Sequence, residues 1–261
     1  MSRIVSIHSF RGGTGKSNTT ANLASLAALS GYRVGVVDTD IQSPGIHVLF
    51  GLNEDRMGHT LNEYLRGDVH IEDVAFNVGE HPTDLPGLSK VFGKSLYLIP
   101  SSIKSQEITT ILRKGYDVKV LNEGLQTIQQ SLDLDYLFID THPGLQEETL
   151  LSILISDVLL IILRPDSQDF QGTAVTVDVA KSLDVPKMLL IVNKALTKYD
   201  FGQIKSEVEG FYDTTVAGVL PLSEDLVDLG SSDLFALRFP EHPWSRALLG
   251  VFEQLTNSEG A

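Results

Sequence analysis

The sequence predicts an α/β fold: a single doubly wound, mostly parallel sheet with helices on both of its faces. Three observations lead there. A short β-branched run, Ile4-Val5-Ser6-Ile7-His8-Ser9, enters a glycine-rich turn and then an Ala- and Leu-rich helical stretch, 18–29, that stops at Gly31. Short apolar runs then alternate with helical stretches almost to the end of the chain, as crossover-connected parallel strands require. Several of these runs are nearly continuous in apolar residues, as strands covered on both faces are. The strands expected are 4–9, 33–38, 96–100, 136–140, 158–163, 187–193 and 215–220.

The turn after the first strand reads Arg11-Gly12-Gly13-Thr14-Gly15-Lys16-Ser17. Gly12, Gly13 and Gly15 let the backbone turn sharply and aim its N–H groups inward at an anion. The helix N-terminus adds partial positive charge at the same place. Lys16 is placed to reach β- and γ-phosphates, and the Ser17 hydroxyl to take a Mg²⁺ ligand position. With Thr14 and Asn18 these residues form the candidate nucleotide-binding set, and the flanking strand and helix are the context such a loop needs.

The second strand ends Val36-Val37-Asp38-Thr39-Asp40, followed by Ile41-Gln42-Ser43-Pro44-Gly45. Two carboxylates at alternate positions point the same way, toward the crevice at the strands' carboxyl ends. In a phosphate site one can bind Mg²⁺ through water while the other orients an attacking water. Residues 77–94, with Pro82, Pro86 and little periodicity, read as a surface loop. Residues 108–119 lead into a helix over 120–132. The strand 136–140 ends Leu137-Phe138-Ile139-Asp140, an apolar run closing on an acid that would hold Mg²⁺ through its water shell, and continues Thr141-His142-Pro143-Gly144. His142 is expected to face solvent, the alternative being contact with phosphate or a dimer partner. The segment 164–169, Arg-Pro-Asp-Ser-Gln-Asp, fits an ordinary helix cap with Ser167 or Asp169 at the N-terminus as well as it fits a loop beside a dimer face. In the last helix Trp244, Ala247, Leu248, Val251, Phe252 and Leu255 share one face, which reads as core packing.

Composition narrows the function classes. The 261 residues suit one domain, expected to span 1–261 with a flexible tail from about 256, and 42% hydrophobic against 21% charged residues supply a substantial core. The formal charge of −14, with Lys and Arg scattered singly, makes DNA an unlikely partner. Zero Cys excludes disulfides and thiolate-held clusters. The chain enters a strand at once, and its longest apolar run, 158–163, is strand-sized, so a cytoplasmic protein is expected.

The run 11–17 resembles the deviant Walker A motif, Lys-Gly-Gly-x-Gly-Lys-Ser/Thr, of the MinD/ParA family of ATPases, which also includes the nitrogenase iron protein and the arsenical-pump ATPase. In that family the first lysine reaches across a nucleotide-sandwich dimer to the partner's phosphates. Here Arg11 stands in its place, keeping the charge and offering a planar fork for phosphate oxygens. The stretch from Asp38 to Gly45 resembles the family's switch I, which implies a water-activating Asp40 and an Asp38 that supports lysine and metal. The stretch from Asp140 to Gly144 resembles its switch II, often Asp-Thr-Pro-Pro-Gly, with Asp140 on the metal and the Gly144 N–H sensing the γ-phosphate. Asn193, ending Leu190-Ile191-Val192-Asn193-Lys194, resembles the adenine-contacting residue, and 218–225 resembles the segment after it, in which backbone around Pro221 contacts adenine.

The resemblance runs from Ser2 to about Leu255 and is closer to MinD and its flagellar-number relatives than to plasmid ParA. It implies a slow Mg·ATP-dependent ATPase that forms a homodimer with ATP sandwiched and recruits a protein activator or cargo adaptor to position cellular cargo. Asp40, Lys16 and Arg11 would be catalytic, and Ser17, Asp40 and Asp140 would hold the metal. A nucleotide-sensing module with little turnover, in which Arg11 replaced the lysine because hydrolysis is not needed, is the alternative. A membrane-targeting last helix of the MinD kind would want flanking Lys and Arg, and this one offers only Arg246 before Glu253 and an acidic tail.

Overall fold

The computed structural model describes residues 2–80, 92–93 and 95–256. Its elements run β1 (Arg3–His8), α1 (Lys16–Leu29), β2 (Val34–Asp38), α2 (Ile46–Leu49), α3 (Leu61–Leu65), α4 (Ile71–Val74), β3 (Phe76–Asn77) and β4 (Leu96–Ile99). They continue α5 (Ser105–Lys114), α6 (Val118–Ser131), β5 (Tyr136–Asp140), α7 (Glu147–Leu154), β6 (Val158–Leu163), α8 (Ser167–Ser182) and β7 (Lys187–Ala195). The last are α9 (Phe201–Tyr212), β8 (Val216–Pro221), α10 (Glu224–Asp228), α11 (Phe235–Arg238) and α12 (Pro243–Thr256).

The eight strands form one sheet in the order β3-β4-β2-β5-β1-β6-β7-β8. All neighbours are parallel except β3 on β4. Each strand expected from the sequence is present within a residue or two of its expected ends. The short edge strand β3 was not anticipated, and it takes Asn77 out of the expected surface loop. Two residues carry too little periodicity to be read, and β3 exists because Phe76 and Asn77 pair with Leu98 and Tyr97. Most of that expected loop, 81–91 and Lys94, and the tail from 257, lie outside the described residues. Helix α5 was read only as a lead-in to α6; the two are separate helices, broken at Gly115 with φ +67.

Alternation explains why the strands look apolar throughout. On β5, Tyr136 and Phe138 enter one core while Leu137 and Ile139 enter another on the opposite face. On β6, Val158, Leu160 and Ile162 face the first core, and Leu159, Ile161 and Leu163 a third beneath α8 and α9. The first core is roofed by α1 and α12. From α12 come Trp244, Leu248, Val251, Phe252 and Leu255, all buried. At about 1.5–3 kcal/mol per fully buried large apolar side chain, that face belongs to the core. No described helix is long and apolar enough to cross a membrane.

The topology brings together three strand ends. In parallel register Ile7 and Asp38 both lie opposite Asp140, so the turn leaving β1 and the acids ending β2 and β5 share one edge of the sheet.

Candidate functional site

The chain leaves β1 at His8 and enters α1 at Lys16 through a turn that only glycine can make at two points. Gly13 has φ +77 and Gly15 φ +95, both in the left-handed region. A Cβ on Gly15 would also stand 2.4 Å from Asn193 Nδ2. Gly15 is the N-cap of α1, no side chain caps the helix, and its first turn carries no acid. The free amides and positive dipole end therefore face a cavity of about 450 Å³. Residues 12–18 line it together with Asp40, Ser43, Leu49, His142, Pro143 and Ser231.

Beneath the turn sits a cluster of acids with one lysine. Lys16 Nζ lies 3.4 Å from Asp140 Oδ1, the two side chains 8% and 1% exposed. The Thr20 hydroxyl reaches the same oxygen at 3.3 Å. Asp38 is fully buried; its Oδ1 accepts from the Asp40 N–H at 3.0 Å and its Oδ2 from the Gly45 N–H at 3.2 Å. Burial, then the neighbouring Asp140 and Asp40 charges, push the Asp38 carboxyl well above the usual carboxylate range. Asp38 thus shapes the turn after β2, and neither it nor Asp140 lines the cavity. Asp40 does line it. Its Oδ1 accepts from the Ser43 N–H at 3.0 Å and from His142 Nδ1 at 2.7 Å.

His142 is consequently not the solvent-facing side chain expected; it is 14% exposed and turned inward onto Asp40. His8 lies deeper. The Thr141 hydroxyl donates to the Ile7 carbonyl at 2.9 Å, so His8 Nδ1, 2.9 Å from the same hydroxyl oxygen, must be the donor there. Its Nε2 is then a buried acceptor without a partner. Burial first, then the Lys16 and His142 charges, hold the His8 imidazole down at about 3.

Arg11 leaves the turn away from the cavity and is 41% exposed. It donates to Gln168 Oε1 and lies 3.7 Å from Asp169 and 3.9 Å from Asp166. Asp166 is the N-cap of α8, accepting from the Gln168 and Asp169 N–H groups, which corrects the expectation of Ser167 or Asp169 there. Asp169 is instead clamped by Arg164, whose Nε and Nη2 donate to its two oxygens at 2.9 and 3.2 Å.

The remaining candidates divide. Asn193 lies under the turn, donating to the Thr14 carbonyl at 2.8 Å. The Gly144 N–H is given to the Ser9 carbonyl at 3.1 Å, so the expected phosphate contact would require it to leave that partner. Pro221 ends β8 in a separate apolar groove with Tyr199, Phe201 and Pro243, outside the cavity. Sequence reasoning missed Lys194, whose Nζ donates to the Gly13 carbonyl at 2.7 Å, and Ser231, whose hydroxyl accepts from Asn18 at 3.3 Å across the cavity wall. Lys194 adjoins a residue already singled out; nothing in the sequence marks Ser231.

This donor set fits a magnesium nucleoside triphosphate. Amides without caps and Lys16 suit the phosphates, and the buried Thr14 hydroxyl has no partner among the described residues. Asp40 and Asp140 against one lysine leave negative charge that a divalent cation would neutralise. Among the described residues no three His, Cys, Asp or Glu side chains converge to hold a metal by themselves. Ser17, Asp40 and Asp140 would therefore act with water and phosphate oxygens, as Mg²⁺ sites commonly do.

Comparison with known proteins adds a family and a fold. A family described as "AAA domain" matches residues 2–196. An uncharacterized ATP-binding protein of Methanocaldococcus jannaschii is 24% identical over 260 residues, covering 99% of this chain and 89% of its own. An iron-sulfur cluster carrier protein of Methanococcus maripaludis is 28% identical over 193 residues, 72% of this chain and 59% of its own. The fold matches the septum site-determining protein MinD of Pyrococcus horikoshii, solved with Mg-ADP, at TM-score 0.80 and 21% identity, over 100% of this chain and 98% of that one.

Proposed function

Because the chain belongs to the MinD/ParA family of P-loop ATPases, we propose that it is a Mg·ATP-dependent switch that hydrolyses ATP slowly, dimerises around the nucleotide and recruits a protein partner to position cellular cargo. One observation carries the reading: an uncapped, glycine-cradled helix N-terminus opens onto a cavity bordered by Lys16 and Asp40. The turn amides and Lys16 would bind the phosphates. Ser17, Asp40 and Asp140 would hold Mg²⁺, which when bound supplies charge neutralisation at the transferring phosphoryl group. Asp40 offers Oδ2, which takes no hydrogen bond among the described residues, to orient the attacking water. Asn193 would read the base once its amide leaves the Thr14 carbonyl. A metal-cluster role like that of the iron-sulfur carrier does not carry over, since this chain has no Cys to supply thiolates.

Dimerisation would give Arg11 its task. Its contacts to Asp166 and Gln168 are exposed or half-exposed, worth about 0–1 kcal/mol each, and buried Asp169 is already clamped by Arg164, whereas a water-excluded phosphate contact in a dimer is charge-assisted and stronger. Arg11 would thus exchange Asp166 and Gln168 for the phosphates of a second copy. Light scattering with ATP and Mg²⁺ tests this. Arg11→Ala should bind ATP yet stay monomeric, and Arg11→Lys should largely restore the dimer; an Arg11→Ala protein that dimerises as well as the parent removes the trans role.

A further inference from the structure

We propose that His142 is a positioning residue for hydrolysis, holding Asp40 by one carboxylate oxygen so that the other faces the phosphate cavity. The inference rests on the ATPase reading above and adds a residue to it. Asp40 ends the β2 segment and His142 follows β5, and both line the cavity around the phosphate turn. The contact between them, His142 Nδ1 to Asp40 Oδ1 at 2.7 Å, joins side chains that are only 14% and 12% exposed. An ionised carboxylate oxygen can only accept, so Nδ1 carries the proton.

Asp40 has little else to hold it. The Ser43 N–H reaches Oδ1 at 3.0 Å but is shared with the Asp40 carbonyl at 3.2 Å. The imidazole supplies the shorter contact to that side chain and, among the described residues, the only one from outside its own turn. Both donors act on Oδ1, and Oδ2 takes no partner among the described residues. Two donors on one oxygen fix the carboxylate's rotation and leave the second oxygen to meet a water.

The histidine is itself seated. Its carbonyl accepts from the Thr149 hydroxyl of α7 at 3.4 Å, and Pro143 packs toward Gly12, its Cγ 4.0 Å from where a Cβ there would stand. A second tie, Gln42 Nε2 to Gln146 Oε1 at 3.0 Å, joins the same two segments. The motif that this stretch resembles places proline at the histidine's position, and proline has no side-chain donor for such a bond. Here, then, a hydrogen bond couples the water-orienting acid of one switch to the backbone of the other.

The experiment compares the parent with His142→Ala and His142→Asn, since an asparagine amide can donate from near the Nδ1 position. Three readouts are needed: single-turnover phosphate release, affinity for a fluorescent ATP analogue with Mg²⁺, and hydrogen exchange over residues 40–45 without nucleotide. His142→Ala should lose about 10- to 100-fold in turnover, the scale on which a misplaced catalytic group costs rate. Its nucleotide affinity should stay within about threefold, and its exchange at Ser43 should be faster. His142→Asn should recover most of the rate and slow that exchange again.

A parent that hydrolyses ATP beside a His142→Ala variant of equal or higher rate overturns the proposal and leaves the ATPase reading standing. So does an asparagine variant that fails to rescue while both variants lose affinity together, which is the signature of a merely structural loop residue. A parent that binds but never hydrolyses ATP overturns both.

Discussion

Replacing Lys16 with alanine should destabilise the protein even without nucleotide. Lysines in phosphate-binding turns are usually credited with ligand contacts alone, and from the sequence Lys16 would be expected to contribute little to the core. Its ammonium instead lies 3.4 Å from Asp140 at 8% and 1% exposure, in a cluster that also holds Asp38 and Asp40. Removing one partner of a buried pair costs about 3–5 kcal/mol, because the other charge is left uncompensated. The contact is long and the Thr20 hydroxyl still reaches Asp140 Oδ1 at 3.3 Å, which places this case lower, at about 2–3 kcal/mol. For a chain of this size, about 2–4 °C per kcal/mol gives a drop of roughly 5–10 °C in Tm. Calorimetric melts at neutral pH without nucleotide measure it. The double variant Lys16→Ala with Asp140→Asn should recover most of the loss, because no unpaired carboxylate remains. A Lys16→Ala protein melting within about 2 °C of the parent would refute the reasoning.

His8 makes a second test. Its pKa is depressed in the fold, so its contribution to stability is complete above the unfolded value of about 6.5 and is lost as pH falls toward about 3. Denaturation curves across that window should show a flatter acid limb for His8→Gln than for the parent; at 1.36 kcal/mol per unit the difference is at most roughly 5 kcal/mol. Gly15→Ala should cost about 1–3 kcal/mol of backbone strain, plus about 0.5–1.5 kcal/mol as the new Cβ displaces Asn193 from the Thr14 carbonyl. Gly12→Ala, whose Cβ would meet only Pro143 Cγ at 4.0 Å, should melt close to the parent, and equal melts for the two variants would reject the cradle argument.

Much of the fold was legible because buried parallel strands write themselves as continuous apolar runs, and β6 is six such residues in a row. The turn at 11–17 was legible for a different reason: close backbone approach to an anion demands glycine at fixed offsets. What the sequence hid depends on long-range pairing. Nothing near His142 says that it will meet Asp40, 102 residues away, nor does anything near Arg11 point to Gln168, 157 residues away. The N-cap of α8 was expected at Ser167 or Asp169, one or three residues too late, because Asp166, Ser167 and Asp169 all suit a cap, and only the observed bonds from Gln168 and Asp169 choose among them. Pro221 was assigned by analogy along the chain, and it lines an apolar groove separate from the phosphate cavity.

Asp40 should act on the attacking water and not on nucleotide binding. Single-turnover phosphate release from Mg·ATP, with bound nucleotide measured in the same samples, puts the parent beside Asp40→Ala. The parent should show Mg²⁺-dependent release, and Asp40→Ala full occupancy with release slower by roughly two to four orders of magnitude. Equal release by Asp40→Ala, or no release by a parent saturated with Mg·ATP, would contradict this role.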